Sequence, residues 1–467
     1  MISVPVQIDR LAPTSVRSQI VEAYAHAIRD GQLEAGVALP SVRGLSRRLG
    51  ISPVTVAAAY RELCEAGLAT ARPRSGYRVA GAISYSAERP VFQLNRIEPD
   101  LRIHPVADCA RLISAVAAVD PRCGGYAEYR GEPELRRAIA ELDRTLSVEA
   151  EPEAGMLITS GAQQALSLLG RSLSGGVVVA VEDPCYPGAR LAFSSAGAVL
   201  MPVPVGEDGP EEAALRSIAE PGKVAAFYCC PTHANPTGRS WSEAARRRVL
   251  CAARQGGTLL VEDDYLGDLD APGEAPPRLA ALAADYPGVR VLRIHTFSKT
   301  LMPALRLASV AGEPQLINRL LSLKIADDLG CSAFLQRALA RFIASGDYGR
   351  HLERVRPRYR QVHDALREAI ARVGAGFSFA GGVGGMCMLG QVDPGIDVSR
   401  FISECARLGV LLMPGTDYWF NALRGGDSFR MGFGSLAPSE VPAVFAALEK
   451  AAGVAAAGGA SDKWSLL

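Results

Sequence analysis

Five short apolar runs separated by helical stretches constrain the fold of this chain more than any other feature. Each run is rich in aliphatic residues and too short for a buried helix, which is typical of parallel strands buried on both faces. The runs are Met156–Thr159, Val177–Val181, Ala225–Cys229, Thr258–Val261 and Val291–Ile294. Between them lie segments with helical character, at Ala162–Leu173, Ser242–Gln255 and Ala275–Ala284. This alternation predicts a βαβ body, followed by a mixed α/β region from about residue 345.

The length of 467 residues is too great for one hydrophobic core, so more than one domain is expected. We predict a small domain over 1–80, a linker over 81–104, a large domain over 105–345 and a smaller α/β domain over 346–467. The net charge of +1 hides an asymmetry, because residues 10–78 contain ten arginines, no lysine and five acidic residues. A basic segment on a mildly acidic body predicts one local anionic partner.

The basic segment has the pattern of three helices and a hairpin. Ile20, Tyr24 and Ile28 recur at four-residue spacing, as on one face of a helix, and a short second helix covers residues 42–49. Ser52 is a good N-cap for a third helix that ends near Ala66, and residues 68–80 alternate weakly, as a small hairpin would. A helix-turn-helix with a hairpin wing is a DNA-binding architecture, so double-stranded operator DNA is the predicted partner.

The residues expected to contact DNA lie at the helix starts and in the wing. Arginines there would supply the phosphate contacts that dominate affinity, and the start of the third helix would face the base edges. The predicted set is Ser41, Arg43, Ser52, Thr55, Arg74 and Gly76. Residues 39–43 and 52–63 closely resemble the GntR-type winged helix, although many relatives have Arg where Pro53 stands. The alternative is a winged helix kept as a dimerisation or scaffolding module.

The βαβ body contains an Asn on a turn (Asn235), an Asp at a strand end (Asp263) and a Lys after the next strand (Lys299). A pyridoxal phosphate (PLP) site requires this order. The cofactor needs an amine for its Schiff base, a carboxylate for its pyridine nitrogen and donors for its phenolate oxygen. Lys299 follows the last apolar run and can supply the amine, while Asp263 can supply the carboxylate. Asn235 and Tyr265 are the predicted phenolate donors. Glu262 and Asp264 flank Asp263, but strand alternation places Asp263 and Tyr265 on one face, so we favour that pair.

A phosphate cup and a stacking residue complete this predicted site. Ala162 and Gln163 open a helix after the first apolar run, where exposed N–H groups and the helix dipole attract a phosphate. Thr296 and Arg306 flank Lys299 and would close the cup, since the arginine fork binds phosphate at two points. Tyr186 follows the second run and would stack on the cofactor ring. Its alternative role is that of a packed loop aromatic.

In this order, the motifs Asn235-Pro236-Thr237-Gly238 and Ser298-Lys299 resemble those of the fold-type-I aminotransferases over residues 105–450. The resemblance implies a large PLP-binding domain and a small α/β domain, with Lys299 as the Schiff-base lysine. It also implies that Arg430 binds the α-carboxylate of a substrate. Tyr126 would reach the phosphate of the neighbouring subunit, so a homodimer is implied.

A GntR-type winged helix joined to an aminotransferase-like body resembles the MocR-type bacterial transcription regulators. The first hypothesis is a regulator that holds PLP as a Lys299 aldimine and senses an amino acid or amine. The second is a working PLP enzyme, with Lys299, Asp263 and Tyr265 as its catalytic residues, that carries a winged helix. No metal site is expected, because no His or Cys residues have metal-ligand spacing. No apolar run is long enough to span a membrane, so a cytoplasmic protein is expected.

Overall fold

The computed structural model describes residues 15–29, 37–65, 69–72, 76–79, 91–173, 175–271, 273–274, 276–379, 383–421 and 425–459, together with Ile8 and Leu33. The chain divides into two compact units, Met1–Arg89 and Pro90–Leu467. Each unit has its own hydrophobic core.

The first unit is a winged helix-turn-helix, as the sequence predicts. It contains α1 (Val16–Arg29), α2 (Val42–Leu49), α3 (Pro53–Glu65) and a hairpin of β1 (Ala69–Arg72) and β2 (Gly76–Val79). Ser41 caps α2 by accepting a hydrogen bond from the Gly44 N–H group, and Gly50 ends the helix at φ 62°, where a side chain would be strained. The apolar faces of the three helices and the hairpin pack together around Ile20, Leu45 and Tyr60.

The second unit is built on a seven-stranded sheet in the order β4-β10-β9-β8-β7-β5-β6. All strands run parallel except β10, which is antiparallel to both of its neighbours. The strands are β4 (Met156–Thr159), β5 (Val178–Asp183), β6 (Val199–Pro204), β7 (Ala226–Cys229), β8 (Leu259–Asp264), β9 (Val291–Thr296) and β10 (Ala308–Ala311). The five predicted strands are therefore present, with β8 and β9 extending into polar residues.

Helices cover both faces of this sheet and bury alternate residues of each strand. Val261 and Tyr228 belong to one core, whereas Leu260 and Phe227 belong to the core on the opposite face. The helices are α4 (Val106–Val119), α5 (Pro133–Arg144), α6 (Ala162–Ser172), α7 (Pro187–Ser195), α8 (Glu212–Ala219), α9 (Glu243–Gly256), α10 (Leu279–Leu282), α11 (Pro314–Asp328) and α12 (Ala333–Ala344). Since parallel strands end together, the residues after β7, β8 and β9 meet at one edge of the sheet.

The sequence analysis did not identify β6 and β10, and it made α10 too long. Val199–Pro204 contains two prolines, which is unusual for a strand, but β6 lies at the edge of the sheet, where prolines are tolerated. Ala308–Ala311 has one large apolar side chain, so its pairing rather than its composition defines it as a strand.

The remainder of the second unit is a smaller α/β layer after the long helix α13 (Asp347–Arg372). A four-stranded antiparallel sheet has the order β11-β12-β15-β14, and a short β13 pairs in parallel with β3. The elements are β3 (Phe92–Gln93), β11 (Phe377–Phe379), β12 (Cys387–Val392), β13 (Val410–Leu411), β14 (Met413–Pro414), β15 (Ser428–Gly432), α14 (Val398–Arg407) and α15 (Val441–Gly459). Residues 91–104, which the sequence assigns to the linker, thus contribute a strand to this unit. Within the described ranges, no helix is both long and apolar enough to cross a bilayer.

Candidate cofactor-binding site

A cavity of about 420 Å³ opens at the carboxyl edge of the large sheet. It collects side chains from turns that are far apart in sequence, because the parallel strands end side by side. Its lining includes the predicted residues Ala162, Gln163, Tyr186, Asn235, Asp263, Tyr265, Thr296, Lys299, Arg306 and Arg430, and also Arg96, Ile97, Glu98, Tyr228, Cys230, Ser298 and Tyr418. The predicted cofactor and substrate residues therefore converge on one cavity, with the exception of Tyr126.

Lys299 is held within this cavity by a backbone contact that the sequence did not indicate. Its Nζ donates to the carbonyl oxygen of Ile97 at 2.5 Å. Burial lowers the pKa of the Lys299 amine, Arg306 and Arg430 lower it further, and Glu98 opposes them. A lowered pKa increases the fraction of neutral amine, which is the form that attacks an aldehyde.

Asp263 lines the cavity, and its two carboxylate oxygens differ in their partners. Its Oδ2 accepts a hydrogen bond of 2.7 Å from the Tyr228 hydroxyl, while Oδ1 is buried with no partner among the described residues. Burial raises the pKa of Asp263 to about 6, against the opposing effect of the Tyr228 hydrogen bond. A buried acceptor without a donor is costly unless a ligand satisfies it. A protonated pyridine nitrogen is a suitable donor for this oxygen.

The neighbours of Asp263 point to the other face of β8, as strand alternation requires. Glu262 accepts hydrogen bonds from the N–H groups of Leu279 and Ala280, and Asp264 pairs with Arg293. Neither side chain is available to the cavity, so the geometry supports the choice of Asp263.

Tyr265 lines the cavity, but its hydroxyl does not have the predicted orientation. It donates to the carbonyl oxygen of His233 at 2.8 Å. A phenol has one proton to donate, so in this arrangement the hydroxyl could only accept from a ligand. Asn235 also lines the cavity, and its Oδ1 is buried without a partner within the described part of the chain. That oxygen is an acceptor, so the predicted donation to a phenolate would have to come from the amide nitrogen.

The start of α6 has features that suit an anion. No side chain caps this helix, and it follows Gly161, which has a φ of 94°. A Cβ atom at Gly161 would lie 2.8 Å from the guanidinium of Arg306, so only glycine permits this approach. Thr296 donates to the Ser298 hydroxyl at 3.1 Å, which leaves the Ser298 proton available for a ligand. Open helix N–H groups, the Ser298 hydroxyl and an arginine fit a phosphate.

Two further side chains border the site on opposite sides. The Tyr186 hydroxyl donates to Gln163 at 3.2 Å, which fixes the ring at the cavity wall. Arg430 in β15 donates through Nη2 to the Asn95 carbonyl, while its Nε and Nη1 are buried without a partner among the described residues. A guanidinium with two open donors matches a carboxylate. Tyr418 lies against it, with the ring centroid 5.8 Å from Cζ.

Tyr126 lies outside the cavity of its own chain. Its side chain is 87% exposed and does not contribute to the lining. The single chain therefore leaves open the implied role of Tyr126 in a neighbouring subunit.

Sequence reasoning missed Tyr228, Ser298, Tyr418 and the Ile97 carbonyl. Ser298 had a local signal, since it immediately precedes Lys299. Tyr228 had no local signal, because only the pairing of β7 with β8 brings it to Asp263. Ile97 and Tyr418 had none, because they approach Lys299 and Arg430 only after the chain folds.

The predicted DNA-contact residues are mostly accessible in the first unit. Ser41, Arg43, Ser52 and Gly76 are exposed and Thr55 is half-buried. Ser41 and Ser52 accept hydrogen bonds from Gly44 and Val54 through their hydroxyls. Arg74 lies outside the described residues.

Comparison with known proteins finds a matching family for each of the two units. Residues 99–448 match the family of class I and II aminotransferases, and residues 16–79 match the gntR family of bacterial regulatory proteins. The HTH-type transcriptional regulator TauR of Rhodobacter capsulatus is 28% identical over 96% of this chain and 99% of its own length. The probable rhizopine catabolism regulatory protein MocR of Rhizobium meliloti is 32% identical over 75% of this chain and 76% of its own length. The crystal structure of the α-aminoadipate aminotransferase LysN from Thermus thermophilus has a TM-score of 0.70 at 27% identity, covering 79% of this chain and 93% of that one.

The fold and the cavity thus define an aminotransferase-like unit that follows a winged helix-turn-helix. The chain belongs to the class I and II aminotransferase family and, through its gntR-type domain, to the MocR-type transcriptional regulators within it. The aminotransferase fold of this family implies dependence on pyridoxal phosphate.

Proposed function

We propose that this regulator binds operator DNA through its winged helix, holds PLP through Lys299, and responds to a small amino compound that carries a carboxylate. One observation carries the proposal: the Lys299 amine, the unpartnered oxygen of Asp263 and the open donors of Arg430 all border one cavity. The same chain has a gntR-type DNA-binding domain. A cytoplasmic location belongs to the proposal, since the DNA of a bacterium lies there.

The residues around the cavity would each hold a different part of the cofactor. When bound, PLP supplies an aldehyde that condenses with amines and a ring that withdraws electrons. Lys299 would bind the aldehyde carbon, and Asp263 would hold the proton on the ring nitrogen. Asn235 would contact the phenolate oxygen, and Tyr186 would cover a ring face.

The phosphate would lie at the start of α6. Arg306 has its guanidinium beside Gly161 and Ser160. Ser298 follows β9 and has a hydroxyl proton to donate, and Thr296 at the end of β9 orients that hydroxyl. These groups add charge-assisted hydrogen bonds to the field of the helix N-terminus.

The effector would be recognised by its carboxylate and its amine. Arg430 has two buried, unpartnered donors for the carboxylate, and the Tyr418 ring lies against its guanidinium. The effector's amine would compete with Lys299 for the same aldehyde. With the effector bound, the Lys299 amine would be free to take up a proton, and the charge within the cavity would differ between the effector-bound and effector-free states.

A homodimer is part of this proposal. Tyr126 is exposed and would complete the phosphate cup of a second subunit. DNA affinity can change only if the effector binds the two arrangements of the dimer with different affinities.

DNA binding can be tested with the full-length protein and fragments of its own upstream region. Specific binding should fall steeply with salt, because phosphate contacts release counterions. Arg43→Ala should weaken binding and reduce the salt slope by about one, without changing cofactor loading. Arg254→Ala, an exposed arginine on α9 in the second unit, is the control. Equal binding to the upstream fragment and to random DNA would argue against the regulator function.

Cofactor attachment can be tested by borohydride reduction and peptide mapping. The trapped cofactor should be found on Lys299 and be lost in Lys299→Ala. Lys223→Ala removes an exposed lysine that pairs with Glu220 and should not alter trapping. Recovery of the adduct on another lysine would refute the assignment.

The alternative function is a PLP enzyme acting on an amino acid. The complete set of Lys299, Asp263 and Arg430 around one cavity favours it. The 2-aminoadipate transaminase of Thermus thermophilus is 31% identical over 67% of this chain. Under this alternative, incubation with amino acids should release keto acid over many turnovers and Arg430→Ala should suppress it. A single conversion without turnover favours the regulator.

A further inference from the structure

The Tyr228 hydroxyl and the Asp263 carboxylate form a buried pair at the floor of the cavity. Tyr228 is 1% exposed and Asp263 is 5% exposed. The tyrosine donates to Oδ2 at 2.7 Å, and the other oxygen of Asp263 has no partner within the described residues. The hydrogen bond therefore decides which of the two carboxylate oxygens is left for a ligand.

The sheet makes this arrangement rigid. Tyr228 in β7 lies directly beside Val261 in β8, so its side chain is on the face that carries Val261 and Asp263. On its other side, Tyr228 lies beside Val181 of β5, and its ring packs against Phe193 at a centroid distance of 6.1 Å. The hydroxyl thus approaches Asp263 from a fixed direction within the layer.

We propose that Tyr228 is a positioning residue that aims Asp263 at the cofactor's ring nitrogen and keeps it ionised near neutral pH. This inference rests on the proposed binding of PLP. Tyr228 would not touch the reacting atoms. Without the Tyr228 hydroxyl, the buried carboxylate of Asp263 would lose its one donor among the described residues, and the neutral acid would become more favourable.

Several other ionisable groups share this environment, so their states must be separated from that of Asp263. Burial raises the pKa of the Cys185, Cys229, Cys230 and Tyr265 side chains well above their usual ranges, and it raises the pKa of Glu182 to about 8. The pKa of Tyr186 is raised by burial as well. On Asp264, burial is outweighed by Arg293 and Arg278, which lower its pKa. Among the groups named here, Asp263 is therefore the one whose pKa lies near 6.

The direction of the pH effect follows from the burial of Asp263. Its pKa lies above the ordinary carboxyl value, so the anion forms only as the pH rises through about 6. A protonated ring nitrogen binds the anion better than the neutral acid. Affinity should therefore rise with pH through this range and then level off. In Tyr228→Phe the rise should occur about one pH unit higher, because one hydrogen bond to a charged group is lost.

The experiment measures the affinity of the full-length protein for pyridoxamine 5′-phosphate by fluorescence between pH 5 and 8. This probe has no aldehyde, so Lys299 forms no bond to it and imine equilibria do not contribute. Its phosphate and ring titrate identically with every variant. The difference between two profiles therefore reports the protein group. At pH 6, Tyr228→Phe should bind about fivefold more weakly than wild type, because the ionised fraction falls from about one half to about one tenth, and the two should converge near pH 8.

Two variants separate positioning from simple loss of stability. Tyr348→Phe removes a similar buried hydroxyl, which donates to Asp268 at 2.6 Å and does not line the cavity. Tyr348→Phe should leave unchanged the pH at which the affinity for the probe rises. Asp263→Asn should bind weakly at all pH values and keep only the rise that comes from the probe's own phosphate, whose second pKa is about 6. A shifted profile in Tyr228→Phe would not reflect a loss of packing, because the Phe ring can still pack against Phe193.

The outcomes distinguish this inference from the proposed function. A Tyr228→Phe profile that coincides with wild type would overturn the positioning role, as would a wild-type profile that rises no more than that of Asp263→Asn. If the protein traps PLP on Lys299 and Tyr228→Phe shows no shift, only this inference fails. If the wild type binds neither PLP nor the probe, the proposed cofactor site fails and the inference fails with it.

Discussion

Arg430 shows at the scale of one residue how a cavity acquires its chemical preference. Its Nη2 is anchored on a backbone carbonyl, which fixes the direction of the two donors that remain open. A buried guanidinium is costly without an acceptor, so a ligand carboxylate would gain more here than at the surface.

The prediction at this scale is that Arg430→Ala lowers the affinity for a carboxylated effector about 10- to 100-fold, because charge-assisted hydrogen bonds are lost. The amine analogue that lacks the carboxylate should bind wild type and variant equally weakly. The affinities for the effector and for the analogue are measured by titration, with the visible absorption of the PLP-loaded protein as the signal. Cofactor loading should not change, since Arg430 is not in the predicted phosphate cup. A similar loss for both ligands would contradict the assignment.

At the scale of elements, a buried ionic cluster joins α5 to β8 and β9. Arg293 in β9 donates to Asp143 at the end of α5 at 2.7 Å and to Asp264 in β8 at 2.8 Å. All three residues are at most 2% exposed. These contacts connect the strand that leads to Lys299 with the strand that carries Asp263.

Removing one partner from this cluster should be far more costly than breaking a surface pair. Asp143→Ala leaves the Arg293 guanidinium undercompensated in the interior and should lower the free energy of unfolding by about 3 kcal/mol. Glu141→Ala on the same helix removes a solvent-exposed pair with Arg144 and should cost less than about 1 kcal/mol. Denaturant unfolding with each variant measures the two changes. Equal losses would show that the buried cluster contributes no more than a surface pair.

At the scale of the whole molecule, the question is whether one subunit completes the site of another. The proposed dimer makes a specific prediction, because Tyr126 is exposed and absent from its own cavity. Tyr126→Phe should lower PLP affinity several-fold by loss of one hydrogen bond to phosphate. A second variant, Lys299→Ala, lacks the amine that would hold PLP in the site of its own subunit.

Mixing these two variants gives the test. In a mixed dimer, one site combines Lys299 of the Tyr126→Phe subunit with an intact Tyr126 from its neighbour. That site should bind PLP with wild-type affinity, although neither parent does. Mass measurement of the native complex establishes the stoichiometry. Failure of the mixture to recover affinity, or a monomeric protein at micromolar concentration, would contradict a shared site.

Much of this molecule could be predicted from short stretches of sequence. The winged helix follows from helix periodicity, the Ser41 cap and Gly50, all of which act within a few residues. Lys299 and Asp263 were predicted from their order along the chain, and Arg306 from its place near Lys299; all three line one cavity. The choice of Asp263 over Glu262 and Asp264 followed from strand alternation alone.

The tertiary structure decided what lies between these residues. The register of β7 against β8 brings Tyr228 to Asp263, and no local pattern encodes that pairing. Likewise, Lys299 meets the Ile97 carbonyl across 202 positions of sequence, and Tyr265 donates to the His233 carbonyl rather than to the cavity. Sequence determines which groups are available because side-chain chemistry and periodicity are local. Packing determines which donor each acceptor finds, because that choice depends on distances between strands and turns that only the folded chain fixes.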